Sequence, residues 1–183
     1  LYVLTDVDGV NPWQQIFAKN GAHALAASDG FTTLHVGVDG EGVYKLTKVG
    51  STWTSVGPMR LGGSTVFHKM KTGQTSGTIY VATDEGLYGI APDASITRFE
   101  IPMISARSGL RSTVEVDPNN EDIIYFASDH EGIYRTQNRA STWTDVSQGI
   151  PTRGFVVLAL DDTTGAIYAE SPGGGIWKHA RWR

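Results

Sequence analysis

Residues 124–143 read IYFASDHEGIYRTQNRASTW, and this stretch recurs in degraded form along the chain. The related segments are LHVGVDGEGVYKLTKVGSTW at 34–53, IYVATDEGLYGIAPDASITRF at 79–99 and IYAESPGGGIWKHARW at 167–182. An aromatic residue follows the turn in each copy, at Tyr44, Tyr88, Tyr134 and Trp177, so the spacings are 44, 46 and 43 residues. The chain is therefore organised as a series of similar repeats.

The length of the repeat predicts an all-β propeller. A period of about 40–45 residues with four short strands is typical of a propeller blade. The 22 glycines suit tight turns between short strands, and no long segment has the apolar period of a helix. We predict one domain over 1–183, a small propeller of about four full four-stranded blades. Its repeats are 22–56, 64–100, 111–147 and 154–183, with a partial repeat at 1–16. In the third repeat, the innermost strand is predicted at 112–116 and the outermost strand at 141–146.

Both ends of the chain carry incomplete repeats. The last repeat keeps only Arg181, Trp182 and Arg183 of its outer strand, whereas Trp13 lies in a spare outer-strand motif that resembles the one around Trp143. Open sheet edges are liabilities, and closing the ring of blades removes them. We therefore expect the N-terminal segment to pair with the C-terminal blade.

Composition excludes several classes of protein. The absence of cysteine removes disulfides, thiolate catalysis and cysteine zinc sites. A formal charge of -4 argues against a general nucleic-acid binder, whose surface would be basic. No apolar run approaches the roughly 18 residues that a membrane span needs, and the chain shows no signal peptide. We expect no metal and no cofactor, and the sequence leaves the oligomeric state open.

The repeats resemble the Asp-box or BNR repeats of sialidases, sortilin-type receptors and xyloglucanase-like glycoside hydrolases. The family hairpin reads Ser-x-Asp-x-Gly-x-Thr-Trp, and residues 136–143, TQNRASTW, are its best match here. Asn138 stands in the aspartate place and Ala140 in the glycine place. The resemblance implies a β-propeller but no single function, because the family contains enzymes, receptors and assembly factors.

Asp39, Asp84 and Asp129 recur at the end of the second strand of their repeats, just before a glycine-containing turn. Asp6 and Glu170 hold the corresponding place in the weaker copies. An Asp side chain accepts hydrogen bonds from backbone amides two residues on, so we interpret these residues as fixing the turn. Cation ligation is the alternative. The repeated Trp and Tyr residues likewise suit packing between blades, with sugar stacking as the alternative.

The segments that join one blade to the next all open on one face of the predicted propeller and carry basic residues. Arginine and lysine on one rim would suit an anionic or hydroxyl-rich ligand, although solvated surface residues are the alternative. Two histidines lie on predicted innermost strands, either facing the channel or filling it. The candidate ligand-binding residues are Lys19, Arg60, Arg107, Arg111, Arg153, His23 and His68.

No catalytic constellation stands out. Glu115 and Asp117 lie on one face of a predicted strand, but no motif pairs them with an acid or a base. The Gly-x-Ser-x-Gly, phosphate-loop and His-Glu-x-x-His motifs are absent from the sequence. We therefore predict a non-enzymatic, extracellular, lectin-like propeller that binds a glycan or glycoconjugate. A glycoside-hydrolase-like propeller, or a fragment of one, and a protein-interaction scaffold are the alternatives.

Overall fold

The computed structural model describes residues 1–4, 13–63, 65–102, 111–155 and 157–179. Regular structure in these residues is β-strand, apart from one 3-10 turn at Asp29–Phe31. The described part of the chain contains no helix that is long and apolar enough to cross a membrane. The predicted all-β class is confirmed.

The strands form antiparallel sheets that follow one another along the chain. The N-terminal hairpin consists of β1 (Tyr2–Leu4) and β2 (Trp13–Gln15). Sheet 1 contains β3 (Ala22–Ser28), β4 (Thr33–Val38), β5 (Gly42–Val49) and β6 (Thr52–Met59). Sheet 2 contains β7 (Phe67–Thr72), β8 (Ile79–Thr83), β9 (Gly86–Ile90) and β10 (Ile96–Phe99). Sheet 3 contains β11 (Ser112–Val116), β12 (Ile124–Ser128), β13 (Gly132–Thr136) and β14 (Thr144–Asp145), and sheet 4 contains β15 (Val157–Leu160), β16 (Ile167–Ser171) and β17 (Gly175–His179).

The sheets are arranged as successive blades of a propeller. In each sheet the strands lie side by side in chain order, beginning with β3, β7, β11 or β15. The first strands of neighbouring sheets also contact one another, β3 with β7, β7 with β11 and β11 with β15. These four strands therefore form an inner wall, and the later strands of each sheet lie progressively farther out. The prediction of about four antiparallel blades is confirmed.

The hydrophobic core lies in layers between adjacent sheets. Between sheets 2 and 3, for example, Tyr80 and Leu87 pack with Val114 and Phe126. Successive residues of a strand point to opposite faces, so a middle strand with a neighbour on each side has to be apolar throughout. All five residues of β12 are accordingly buried. Each large side chain that is fully buried in such a layer contributes roughly 1.5–3 kcal/mol.

The N-terminal hairpin has the register of an outer blade edge. Tyr2 lies opposite Gln15 in β1–β2, just as Tyr134 lies opposite Asp145 in β13–β14. The amide of Ile16 donates to the carbonyl of Leu1 at 3.0 Å, which matches the bond from Val146 to Ile133 in sheet 3. The hairpin therefore corresponds to the third and fourth strands of a blade, and Asp6, which was expected to correspond to Asp39, lies outside the described residues.

The expected pairing of the Trp13 strand with the C-terminal blade is not seen among the described residues. Trp13 lies opposite Leu4 of β1, and in the described residues β2 has no pairing with sheet 4. Leu1 and Ile16 instead pack against the buried face of sheet 1. These two side chains are therefore partly removed from water by sheet 1. The expected partner Trp182 lies outside the described residues.

The hairpin at 136–143 is held by side chains rather than by a strand ladder. Oδ1 of Asn138 accepts the amide of Thr142 at 2.9 Å, and its Nδ2 donates to Oγ1 of Thr142 at 2.8 Å. The amide of Ala140 donates to Oγ1 of Thr136 at 3.1 Å. Arg139 and Ala140 adopt left-handed φ values of 52° and 65°. The backbone amide of Thr142 donates to Asn138 and is not available for pairing with β13. The outer strand, predicted at 141–146, is therefore confined to Thr144–Asp145 in β14.

Candidate functional site

The inner strands enclose an open cleft of about 560 Å³ at the end of the axis where each of them begins. We call it the axial cleft. It receives side chains from all four sheets, because β3, β7, β11 and β15 start side by side around it. Its wall includes His23, His68, Lys69, Arg111, Ser112 and Val157.

Three of the sequence-predicted site residues meet in this cleft, namely His23, His68 and Arg111. Lys19, Arg60 and Arg153 do not line it. Lys19 forms an ion pair with Glu41 at 2.8 Å. Arg153 pairs with Asp145 at 2.7 Å and also donates to the carbonyl of Glu131. Arg60 is exposed outside the axial cleft, and Arg107 lies outside the described residues.

His68 presents a hydrogen-bond donor with a defined position. Its Nδ1 accepts the backbone amide of Ser112 at 3.0 Å. Burial is the largest influence on this imidazole and lowers its pKa below the usual 6.5, so it is neutral near pH 7. A neutral imidazole whose Nδ1 accepts must carry its proton on Nε2. His68 therefore brings a single N–H donor to the cleft wall.

His23 and Arg111 complete the polar wall. Nδ1 of His23 lies 2.5 Å from a carboxylate oxygen of Asp39, and the His23 side chain is largely exposed. Arg111 is also exposed, and no hydrogen bond from its guanidinium to the other described residues is found. A planar guanidinium in this state can donate paired hydrogen bonds to a carboxylate or to neighbouring hydroxyls.

The recurring aspartates fasten the beginnings of the inner strands. Each accepts a backbone amide through Oδ1 at 2.8–3.1 Å. The pairs are Asp84 with Val66, Asp129 with Arg111, and Asp39 with Phe67 of the next sheet. These aspartates therefore hold the beginnings of inner strands through distant amides, and not the following turn through the amide two residues on, as was expected. The described residues contain no group of three or more His, Asp or Glu placed to hold a metal ion.

Deeper along the axis, Glu115 ties three sheets together. Its buried carboxylate lies 2.5 Å from Nζ of Lys69 and 2.9 Å from Nζ of Lys71. Lys69 also donates to the carbonyl of Leu158 in sheet 4 at 3.0 Å. Two lysines against one carboxylate leave a net positive charge next to the axial cleft.

A second cavity, of about 120 Å³, lies between sheets 1 and 2 and is lined in part by His35 and Lys45. His35 is 8% exposed, and its Nδ1 is buried without a hydrogen-bond partner. The tyrosines Tyr80 and Tyr125 hold the corresponding place in β8 and β12. Burial, aided by the charge of Lys45, lowers the pKa of His35 from 6.5 to about 4.

This imidazole predicts a loss of stability in mild acid. The pKa of His35 is 6.5 in the unfolded chain and about 4 in the folded chain, so the unfolded state binds the proton more readily between these values. The free energy of unfolding should therefore decline as the pH falls from 6.5 to 4. Urea denaturation at pH 7 and pH 5 would measure it. The decline should be smaller in His35→Tyr, and an equal decline in both proteins would contradict the prediction.

The comparisons with known proteins agree on the fold. No model of a known protein family matches the chain, and no curated protein matches it by sequence. Among solved structures, YCF48 bound to a D1 peptide superposes with a TM-score of 0.66 at 14% identity, covering 93% of this chain and 54% of that one. A GH74 enzyme from Niastella koreensis gives a TM-score of 0.60 at 19% identity, covering 87% and 28%. An auxiliary nutrient binding protein from Bacteroides thetaiotaomicron gives 0.61 at 14% identity, covering 82% and 36%.

These similarities establish the propeller-type fold and no particular function. The chain spans about half the length of YCF48 and about a third or less of the other two proteins. An enzyme, a nutrient-binding protein and a peptide-bound protein share the scaffold, so function has to be argued from the residues of the site.

Proposed function

We propose that the protein binds an acidic glycan in the axial cleft without cleaving it. The observation that carries the proposal is the meeting of His23, His68 and Arg111 with Ser112 around one opening of about 560 Å³. The volume lies in the range typical of small-ligand sites. The sequence analysis predicted a glycan ligand, and the side chains of the cleft favour an acidic one.

The polar groups of the cleft match a hydroxylated anion. Arg111 supplies a charged pair of donors and His68 a neutral donor, and the Lys69–Lys71–Glu115 cluster adds positive charge below them. The aromatic ring in the wall belongs to Phe67, which is 2% exposed and offers no stacking surface. Recognition therefore depends on hydrogen bonds and charge rather than on ring stacking.

The state of the nearby carboxylates favours binding over hydrolysis. A glycosidase needs two carboxyl groups facing one glycosidic bond, one as an acid and one as a base or nucleophile. Here Glu115 is paired with two lysines, and Asp39, Asp84 and Asp129 accept backbone amides. The described residues thus offer no free pair of carboxylates at the cleft.

Arg111→Ala should weaken binding of the best acidic ligand on a glycan array by about tenfold, the loss expected for a charged hydrogen bond. Raising the salt concentration should weaken the parent protein in the same direction. Arg60→Ala is the matched control, since Arg60 is an exposed arginine outside the axial cleft. Equal losses in the two variants would place the ligand outside the axial cleft, and no loss in Arg111→Ala would overturn the proposal.

A peptide is the second candidate ligand, because YCF48 was solved with a D1 peptide bound and superposes over 93% of this chain. The carboxylate of a peptide would meet the same Arg111. Titrating an acidic peptide alongside the array ligand separates the two candidates. Peptide binding that is lost in Arg111→Ala, with no glycan binding, would replace the glycan by a peptide, and release of a cleaved sugar would identify a hydrolase.

A further inference from the structure

Arg135 of β13 is a buried cation that the proposed function does not use. It is 6% exposed, and its guanidinium carbon lies 5.8 Å from the centroid of the Tyr125 ring. Its Nε is buried without a hydrogen-bond partner. None of the described carboxylates forms an ion pair with it. A buried guanidinium without a counter-charge is destabilising, and a bound anion would offset that cost.

Arg135 faces a cleft of about 820 Å³ at the periphery of sheets 3 and 4, which we call the peripheral cleft. The cleft lies between the outer strands of sheet 3 and the end of β17, away from the axis. Amide and hydroxyl side chains dominate its wall. They belong to Gln137, Asn138, Thr142, Thr144 and Gln148.

The charge of Arg135 is not neutralised within this cleft. Asp145 also lines it, but its carboxylate pairs with Arg153 at 2.7 Å and accepts the amide of Ser147 at 2.8 Å. The corresponding Lys178 of sheet 4 lies 5.4 Å from the Tyr168 ring and is exposed to water. The same cross-strand pair of a cation and an aromatic ring is therefore buried at Arg135 and solvated at Lys178.

We propose that the peripheral cleft binds a second ligand, a sugar acid whose carboxylate is held by Arg135. A guanidinium donates paired, charge-assisted hydrogen bonds to a carboxylate. Carboxamide and hydroxyl groups both donate and accept, which suits the hydroxyls of a sugar. The site is separate from the axial cleft and does not depend on the function proposed there.

The test compares D-glucuronate with D-glucose, which differ in the carboxylate, by isothermal titration and ligand-observed NMR. In the Arg111→Ala background, which removes the charged donor of the axial cleft, glucuronate should bind at least about tenfold more tightly than glucose, and adding Arg135→Met should abolish that preference. Arg135→Met should also melt at the same or a higher temperature than the parent, because it removes an uncompensated buried charge. Arg135→Lys keeps the charge without the planar fork and should weaken binding.

Lys45→Met is the matched control, since Lys45 lies opposite His35 in sheet 1 as Arg135 lies opposite Tyr125 in sheet 3. It should leave the glucuronate preference intact. Equal binding of glucuronate and glucose, together with a lower melting temperature for Arg135→Met, would show that Arg135 only packs on Tyr125. N-acetylglutamate binding as tightly as glucuronate would overturn the assignment to a sugar acid.

Discussion

Replacing Glu121 with alanine is expected to lower the free energy of unfolding by about 3 kcal/mol, because several donors would lose one buried acceptor. Glu121 lies in the loop after β11 and is 4% exposed. Its carboxylate accepts the amides of Thr75 and Ser76 at 2.9 and 2.8 Å, the hydroxyl of Ser76, and the hydroxyl of Tyr80 at 3.2 Å. One side chain of sheet 3 thus holds the β7–β8 turn of sheet 2. Urea denaturation at pH 7 would measure the loss.

Asp122→Asn is the control for Glu121, since the neighbouring Asp122 is half exposed and pairs with Arg139 at 3.2 Å on the surface. It should cost less than about 1 kcal/mol. Burial raises the pKa of Glu121, but the hydrogen bonds from Ser76 and Thr75 outweigh it and hold the pKa below the usual 4.5. The stabilisation is therefore complete above pH 4.5 and is lost as the pH falls through the lower folded-state pKa. Glu121→Ala and Asp122→Asn losing equal stability at pH 7 would contradict this role.

In the third repeat, the innermost strand, which is buried on both faces, was predicted better than the outermost strand. Residues 112–116, STVEV, were predicted as a strand, and β11 covers the same residues. The outer strand of that repeat was predicted at 141–146, but β14 is limited to Thr144–Asp145. The pattern of apolar residues predicts which strands pack between sheets. The length of an outer strand depends instead on competing side-chain hydrogen bonds, such as those of Asn138.

The candidate site was predictable in part. His23, His68 and Arg111 could be placed at the axis because their position in each repeat puts them where an inner strand begins. The use of Asp84 to hold the amide of Val66 was not predictable, because it joins residues that are 18 positions apart.

Arg135 was overlooked because its sequence motif, Gly-Ile-Tyr-Arg, also describes a solvated cation. Lys45 and Lys178 stand at the same place in their repeats. Burial distinguishes the guanidinium of Arg135 from the exposed ammonium of Lys178, and burial is a property of the folded chain.

Gly37→Val is expected to destabilise the protein by about 3 kcal/mol through overpacking between sheets 1 and 2. A Cβ at Gly37 would lie 2.6 Å from ring carbons of Phe67, and that ring is 2% exposed and has little room to move. Gly37→Ala should cost less than Gly37→Val, because alanine adds less volume. The corresponding residues of β8 and β12 are alanines. The alanine of β8 fits because the residue of sheet 3 in the place of Phe67 is the smaller Ser112.

The measurement is a double-mutant cycle of Gly37→Val with Phe67→Leu, followed by urea denaturation. Phe67→Leu alone removes buried surface and should lower the free energy of unfolding. In the Gly37→Val background it also relieves the clash. The double mutant should therefore lose less stability than the sum of the losses of the two single mutants. Gly63→Ala is the control, because a Cβ there would meet no atom within 4 Å and should change stability little. Strict additivity of the two losses would show that the cost of the valine does not arise from its contact with Phe67.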